Sequence, residues 1–144
     1  MVGDLDRILH MTTAATGLHP HYTLLCDDIR LEVGNRLSLM GMHQGIVAAQ
    51  LPVSLIKLAA ITYWHGQGTG TTEVRVLSPD RSQVVLASNA APIDLPAGGY
   101  THNLVFFVNV ALPHEGTYWV QILLDSEVVD EVPFNVVLHQ HDSV

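Results

Sequence analysis

The sequence predicts an all-β chain: an antiparallel β-sandwich of immunoglobulin-like or C2-like type, with about eight to nine strands. Three observations predict it. Val, Ile and Thr account for 35 of the 144 residues, a composition suited to pleated, half-buried surfaces. Apolar alternation of period two recurs in short runs, roughly every 8–14 residues, divided by Gly, Pro, Asn and Asp. No stretch sustains a long helical period.

Apolar residues make up 48% of the chain and charged residues 14%, against a usual charged share of about 25%. That balance excludes disorder, coiled coils and a solvated helical bundle. The length suits one domain with a core that needs no staples. Residues 1–20 read as an extension, a short helix or mobile tail, because Leu5, Ile8 and Leu9 share one helical turn and the period is then lost. Residues 21–144 read as the single β domain.

Tyr22–Cys26 places apolar residues at even positions and Ile29–Val33 at odd ones, so a bulge or sharp bend is expected at Asp27-Asp28. Gly34-Asn35 is a two-residue hairpin signal leading into Arg36–Met42. Leu55–His65 is apolar on both faces, as a buried strand or a buried helix would be; Pro52 before it and Tyr63-Trp64 at its end favour a strand. Glu73–Leu77 alternates, and Pro79-Asp80 turns into Gln83–Ala87. Leu104, Phe106, Val108 and Val110 are expected on one core-facing side. Tyr118, Val120, Ile122 and Leu124 follow, and after a turn at Asp125-Ser126 come Val132, Phe134, Val136 and Leu138. Pro133 cannot donate a ladder hydrogen bond, so an edge or bulge is expected there.

The block Leu24-Leu25-Cys26-Asp27-Asp28-Ile29-Arg30-Leu31-Glu32-Val33-Gly34-Asn35-Arg36-Leu37-Ser38-Leu39-Met40-Gly41 resembles the opening of a family of small bacterial β-sandwich proteins of unknown function. The later block Leu112-Pro113-His114-Glu115-Gly116-Thr117-Tyr118-Trp119-Val120, with Pro133-Phe134-Asn135-Val136, is similar to that family's closing strands. It also resembles the last hairpin of immunoglobulin-like and C2-like sandwiches. The likeness covers roughly residues 21–138. It implies a fold and no activity.

The formal charge is −8, which argues against nucleic-acid or anionic-membrane partners. All six basic residues lie in the first 81, and residues 82–144 carry seven acids with no Lys or Arg. Cys26, the single cysteine, sits in an apolar run and is expected to be buried and inert, in a cytoplasmic protein. Two twenty-residue stretches, Leu37–Ile56 and Leu95–His114, lack formal charge, but their Gly, Pro, Asn, Gln and His residues exclude a membrane span.

The densest ionisable cluster is Asp27, Asp28, Arg30 and Glu32. Two adjacent carboxylates suit a hard cation, and Asp28, Arg30 and Glu32 would share a strand face as a polar binding strip. Internal neutralisation by Arg30 is the plainer account. His19-x-His21 and His139-x-His141 have the strand spacing of a metal pair, yet each supplies two ligands only, so no metal and no cofactor is assigned. Gly66-Gln67-Gly68-Thr69-Gly70 lacks the helix N-terminus that a phosphate loop requires, and reads as a flexible inter-strand loop. No serine elbow or paired-carboxylate arrangement is present, so no enzyme is expected. Trp64 and Trp119 are candidate stacking or anchoring residues, with Trp119 opposite the core beside Gln121 and Leu123.

The function that follows is a non-enzymatic protein-interaction or assembly module, self-associating as a homodimer through an apolar face or edge strand. The alternatives are a small-ligand or carbohydrate-binding sandwich, and a metal-binding protein or enzyme using histidines and Asp27-Asp28.

Overall fold

The structure, a computed structural model, describes residues 17–139. It is all-β. Eight strands, β1 (Leu18–Glu32), β2 (Arg36–His43), β3 (Gly45–Ala48), β4 (Val53–Leu77), β5 (Val84–Ala87), β6 (Ala91–Leu112), β7 (Gly116–Leu124) and β8 (Glu127–Leu138), join in one sheet. Its order is β2-β1-β4-β7-β8-β3, with β5 and β6 also paired to β4. The sheet is mixed, because β3 runs parallel to β8; the expectation of purely antiparallel pairing fails there. No helix among the described residues is long and apolar enough to cross a membrane. The helical turn read at Leu5, Ile8 and Leu9, and His141, lie outside the described residues; from Leu18, which is buried, the chain is already in β1.

The spine is β4. Its first part, Val53–Gly66, pairs with β6 on one side, and on the other side Ala59–Gly66 pairs with β1. Its last residues, from Thr72, pair with β7, and Arg75–Leu77 also pair with β5. The expected loop at Gly66–Gly70 is therefore absent, since those residues continue the strand. The glycines serve a bulge instead. The register with β6 shifts between Gly66 and Gly68, whose φ values are +124° and +135°, a region closed to residues with a Cβ. A Cβ at Gly66 would also collide with the carbonyl oxygen of Gly17. The segment 55–65 is a strand, and it defeats periodicity because both of its faces are covered. Leu58, Ala60 and Trp64 enter the main core with Val74, Tyr118, Val120 and Phe134. Ala59 and Ile61 enter a second cluster with Cys26 and Ile29, flanked by Leu24, Leu37, Leu39 and Leu104.

Both short hairpins turn where expected. Gly34-Asn35 and Asp125-Ser126 have positive φ at both positions, the geometry whose twist matches the flanking strands. Of the bulge or sharp bend expected at Asp27-Asp28, no bulge is present: the β1–β2 register keeps one offset on both sides, from Leu25↔His43 to Glu32↔Arg36. Cys26 and Ile29 nevertheless join one cluster, and opposite the change of face lies Gly41 at φ +66°. On β6 the expected face is inverted along most of its length. Phe107 is buried and Val105 packs against the main core, whereas Phe106 and Val108 are exposed. Asn109, at φ +52°, then returns Val110 and Leu112 to the core. Pro133 lies just before the stretch, Asn135–Leu138, where β8 gains β3 as its second neighbour.

Candidate functional site

The second faces of the two halves of β4 differ in chemistry. Over the C-terminal half, Glu131 accepts from both terminal nitrogens of Arg81 at 2.8 Å, and from Gln121 Nε2 at 2.8 Å; Gln121 Oε1 in turn accepts from Arg75 Nε at 2.8 Å. The Arg81 guanidinium stands 4.3 Å from the Trp119 ring centroid. Pairing with Arg81 is the main force holding the Glu131 carboxyl below its ordinary range. Trp119 does face away from the core beside Gln121, as expected, but its ring is capped by a clamped arginine. Trp64 is wholly buried, with its indole N–H unpartnered. Neither tryptophan is therefore a free stacking platform.

The expected polar strip divides. Asp28 Oδ1 accepts from Lys57 Nζ at 3.0 Å and from the Ile29 backbone N–H, and the lysine bond is the chief cause of its lowered pKa. Asp27 bonds His43 Nε2 instead, while Arg30 and Glu32 are exposed. Adjacent carboxylates thus point to different partners, and no group of three metal-ligating side chains gathers among the described residues. Cys26 is buried and desolvation pushes its thiol pKa up, which leaves it a poor nucleophile.

Over the N-terminal half of β4, seven rings converge. Alternation sends Tyr63 and His65 outward; β1 contributes His19, His21 and Tyr22, and β6 contributes Tyr100 and His102. A bulge between Pro20 and Tyr22 inserts His21, so His21 and Tyr22 both contact the Tyr63 ring. Tyr63 stacks with Tyr100 at 6.0 Å and 20°, and meets His102 edge-on at 5.0 Å. Tyr22 Oη lies 3.4 Å from His102 Nε2. His65 stands 5.4 Å from His19 and 5.3 Å from His21. Burial first, and then these two neighbours, lower its pKa. A shallow hollow of about 360 Å³ continues the face between Tyr22, Leu24, Arg36, Leu39, Ile61 and His102.

Of the residues singled out in the sequence, this face takes His19 and His21, one of the two pairs with the strand spacing of metal ligands to which no metal was assigned. His139 is remote: its backbone N–H donates to Ala48 at 2.7 Å. Tyr22, Tyr63, Tyr100, His65 and His102 are not candidate site residues from the sequence. The only signal was the density of rings near Tyr22, Tyr63 and Tyr100, on segments that cross-strand register alone brings together.

A second property is legible once the strands are placed. Residues 17–26, 36–43, 58–72 and 95–112, which build this face and its rim, contain no Asp or Glu. The net −8 resides elsewhere.

A search of curated proteins finds no match. Among solved structures, the chain is similar in fold to the Pseudomonas fluorescens alkylpurine DNA glycosylase AlkC bound to DNA containing an abasic site analog. The TM-score is 0.56 at 9% identity, over 88% of this chain and 32% of the glycosylase. The chain thus spans about a third of that enzyme, and the likeness concerns fold. The exclusion of nucleic-acid partners, drawn from net charge, is corrected: a fold neighbour is a DNA-bound protein, and the segments that build the ring face carry none of the acids that motivated the exclusion. Residues 21–137 match a family described as a family of unknown function, DUF6941, and the chain belongs to that family.

Proposed function

We propose that this protein is a non-enzymatic assembly module of immunoglobulin-like sandwich type, working in the cytoplasm, that pairs with a second copy of itself by edge-strand addition. One observation carries the reading. The two stretches without formal charge supply β2 after Arg36 and β6 after Asp94, and among the described residues each of these strands is hydrogen-bonded on one side only, β2 to β1 and β6 to β4. Proteins blunt such edges with lysine, proline or charge. Here β2 (Arg36–His43) has neither Lys nor Pro, and it exposes Met40 and Met42; β6 exposes Phe106 and Val108. Antiparallel pairing of one edge with its symmetry copy closes a dimer through a self-complementary surface. The immunoglobulin-like reading is supported by Tyr118, whose hydroxyl accepts from the His114 backbone N–H at 2.9 Å and donates to its carbonyl at 3.0 Å. That arrangement is the tyrosine corner of such domains. The cytoplasmic setting is supported by the lone, buried thiol.

Light scattering across a concentration series tests the pairing, with Met42→Lys and Val108→Lys placed on the two edges. The expected result is a dimer that one of the two substitutions converts to monomer. A wild-type monomer at every accessible concentration overturns the reading.

A further inference from the structure

We propose that the ring-lined face over β1, β4 and β6 binds single-stranded nucleic acid, stacking unpaired bases on its tyrosines and meeting phosphates with imidazole N–H groups and Arg36. Exposed bases need aromatic planes that face solvent. Tyr100 is 67% exposed and Tyr22 37%, with Tyr63 between them, and stacking tolerates any base because every base has a π-face. Neighbouring sheet strands lie about 4.8 Å apart, and outward residues on one strand about 7 Å. The rings therefore form a two-dimensional platform, where a buried aromatic core would interlock.

Phosphate tolerance is the second requirement, and a chain of net charge −8 meets it only locally. The groups facing the platform are His19, His21 and Tyr22 from β1, Tyr63 and His65 from β4, Tyr100 and His102 from β6, and Arg36 from β2. None is a carboxylate. The nearest acids along these strands are committed or set apart. Asp27 is bonded to His43 and Asp28 to Lys57, Glu32 is paired in register with Arg36, Glu73 lies opposite Leu123 of β7, and Asp94 lies opposite Thr69 beyond the glycine bulge. Each imidazole carries an N–H that donates to a phosphate oxygen, and the Arg36 guanidinium adds a fixed positive charge. A double helix hides its base faces, so the ligand is single-stranded.

Fluorescence anisotropy with a short labelled oligothymidylate and its oligouridylate counterpart, at low and at raised salt, tests this on the full chain. We expect saturable binding, weakened by salt. Tyr100→Ala and Tyr22→Ala should each weaken it about 5- to 150-fold, whereas Tyr100→Phe, which keeps the ring, restores it. Val128→Ser, an exposed change on β8, should leave it unaltered. Comparing the two oligomers separates DNA from RNA as the source. Absence of binding at low salt, or equal binding by the alanine variants, overturns the proposal. So does a change of oligomeric mass on losing Tyr100, which would make the face a contact between copies. Met42→Lys and Val108→Lys keep every side chain of this face and oligonucleotide binding is read apart from oligomeric mass, so the two readings fail separately.

Discussion

Two regions, set over the two halves of one strand, use similar residues to opposite ends. Over the C-terminal half of β4, Trp119 lies under Arg81, which is held by Glu131, which is held by Gln121. The side chains of Arg75, Gln121, Glu131 and Arg81 are bonded to one another there, and the half-buried aromatic is capped by the arginine. Over the N-terminal half, three tyrosines and four histidines touch one another mainly by ring contacts, with a single long hydrogen bond between Tyr22 and His102. Donors and ring faces there remain free for something else. An aromatic side chain on a sheet face is therefore a poor sign of a binding site by itself; the state of its polar surroundings decides.

The comparison breaks most severely at the bulge where one half gives way to the other. Gly66→Val puts a Cβ against the Gly17 carbonyl at a φ of +124°, and should cost more than about 3 kcal/mol in denaturant unfolding. Next is Glu131→Ala. It releases Arg81 and uncovers Trp119, with an expected loss of about 1–2 kcal/mol and a red shift in Trp emission. A stability cost below about 0.3 kcal/mol would show that the sealed face is not held by this network.

The third test uses acid on the open face. His65 has its pKa lowered by burial and by His19 and His21, so the unfolded chain takes up its proton first. Stability is then complete above the ordinary histidine value of about 6.5 and declines as pH falls through it. Replacing His19 and His21 by Gln should shallow that slope in thermal melts without abolishing it, because burial remains. The smallest expected effect is Tyr100→Ala, within about 0.5 kcal/mol of wild type. A large loss there would mean the open face is as structural as the sealed one.

What could be read in advance follows from where the information sits. Gly34-Asn35 and Asp125-Ser126 announce their turns because positive φ is demanded within two residues. Tyr118, Val120, Ile122 and Leu124 announce a strand because one face is buried and the other is not. The β6 face was misread since Leu104 to Val110 is apolar on both sides and Asn109 breaks the phase. Glycines at 66, 68 and 70 carry a loop signal although here they bend a continuous strand. The ring face was the least legible. His19, His65 and Tyr100 belong to three segments, and only pairing register, including the extra residue His21, makes them neighbours. Net charge misled for a related reason: it is a sum over residues, whereas a ligand meets one surface.

That β4 runs unbroken from Val53 to Leu77 has a consequence for how the molecule comes apart. The strand belongs to both halves, pairing with β1 and β6 at one end and with β5 and β7 at the other. Neither end keeps its central strand if the other melts and β4 frays past the bulge. Amide hydrogens of Ala60 and of Val76 should then exchange with one opening free energy, as members of a single cooperative unit, and chemistry done on one face would be felt in the exchange rates beneath the other.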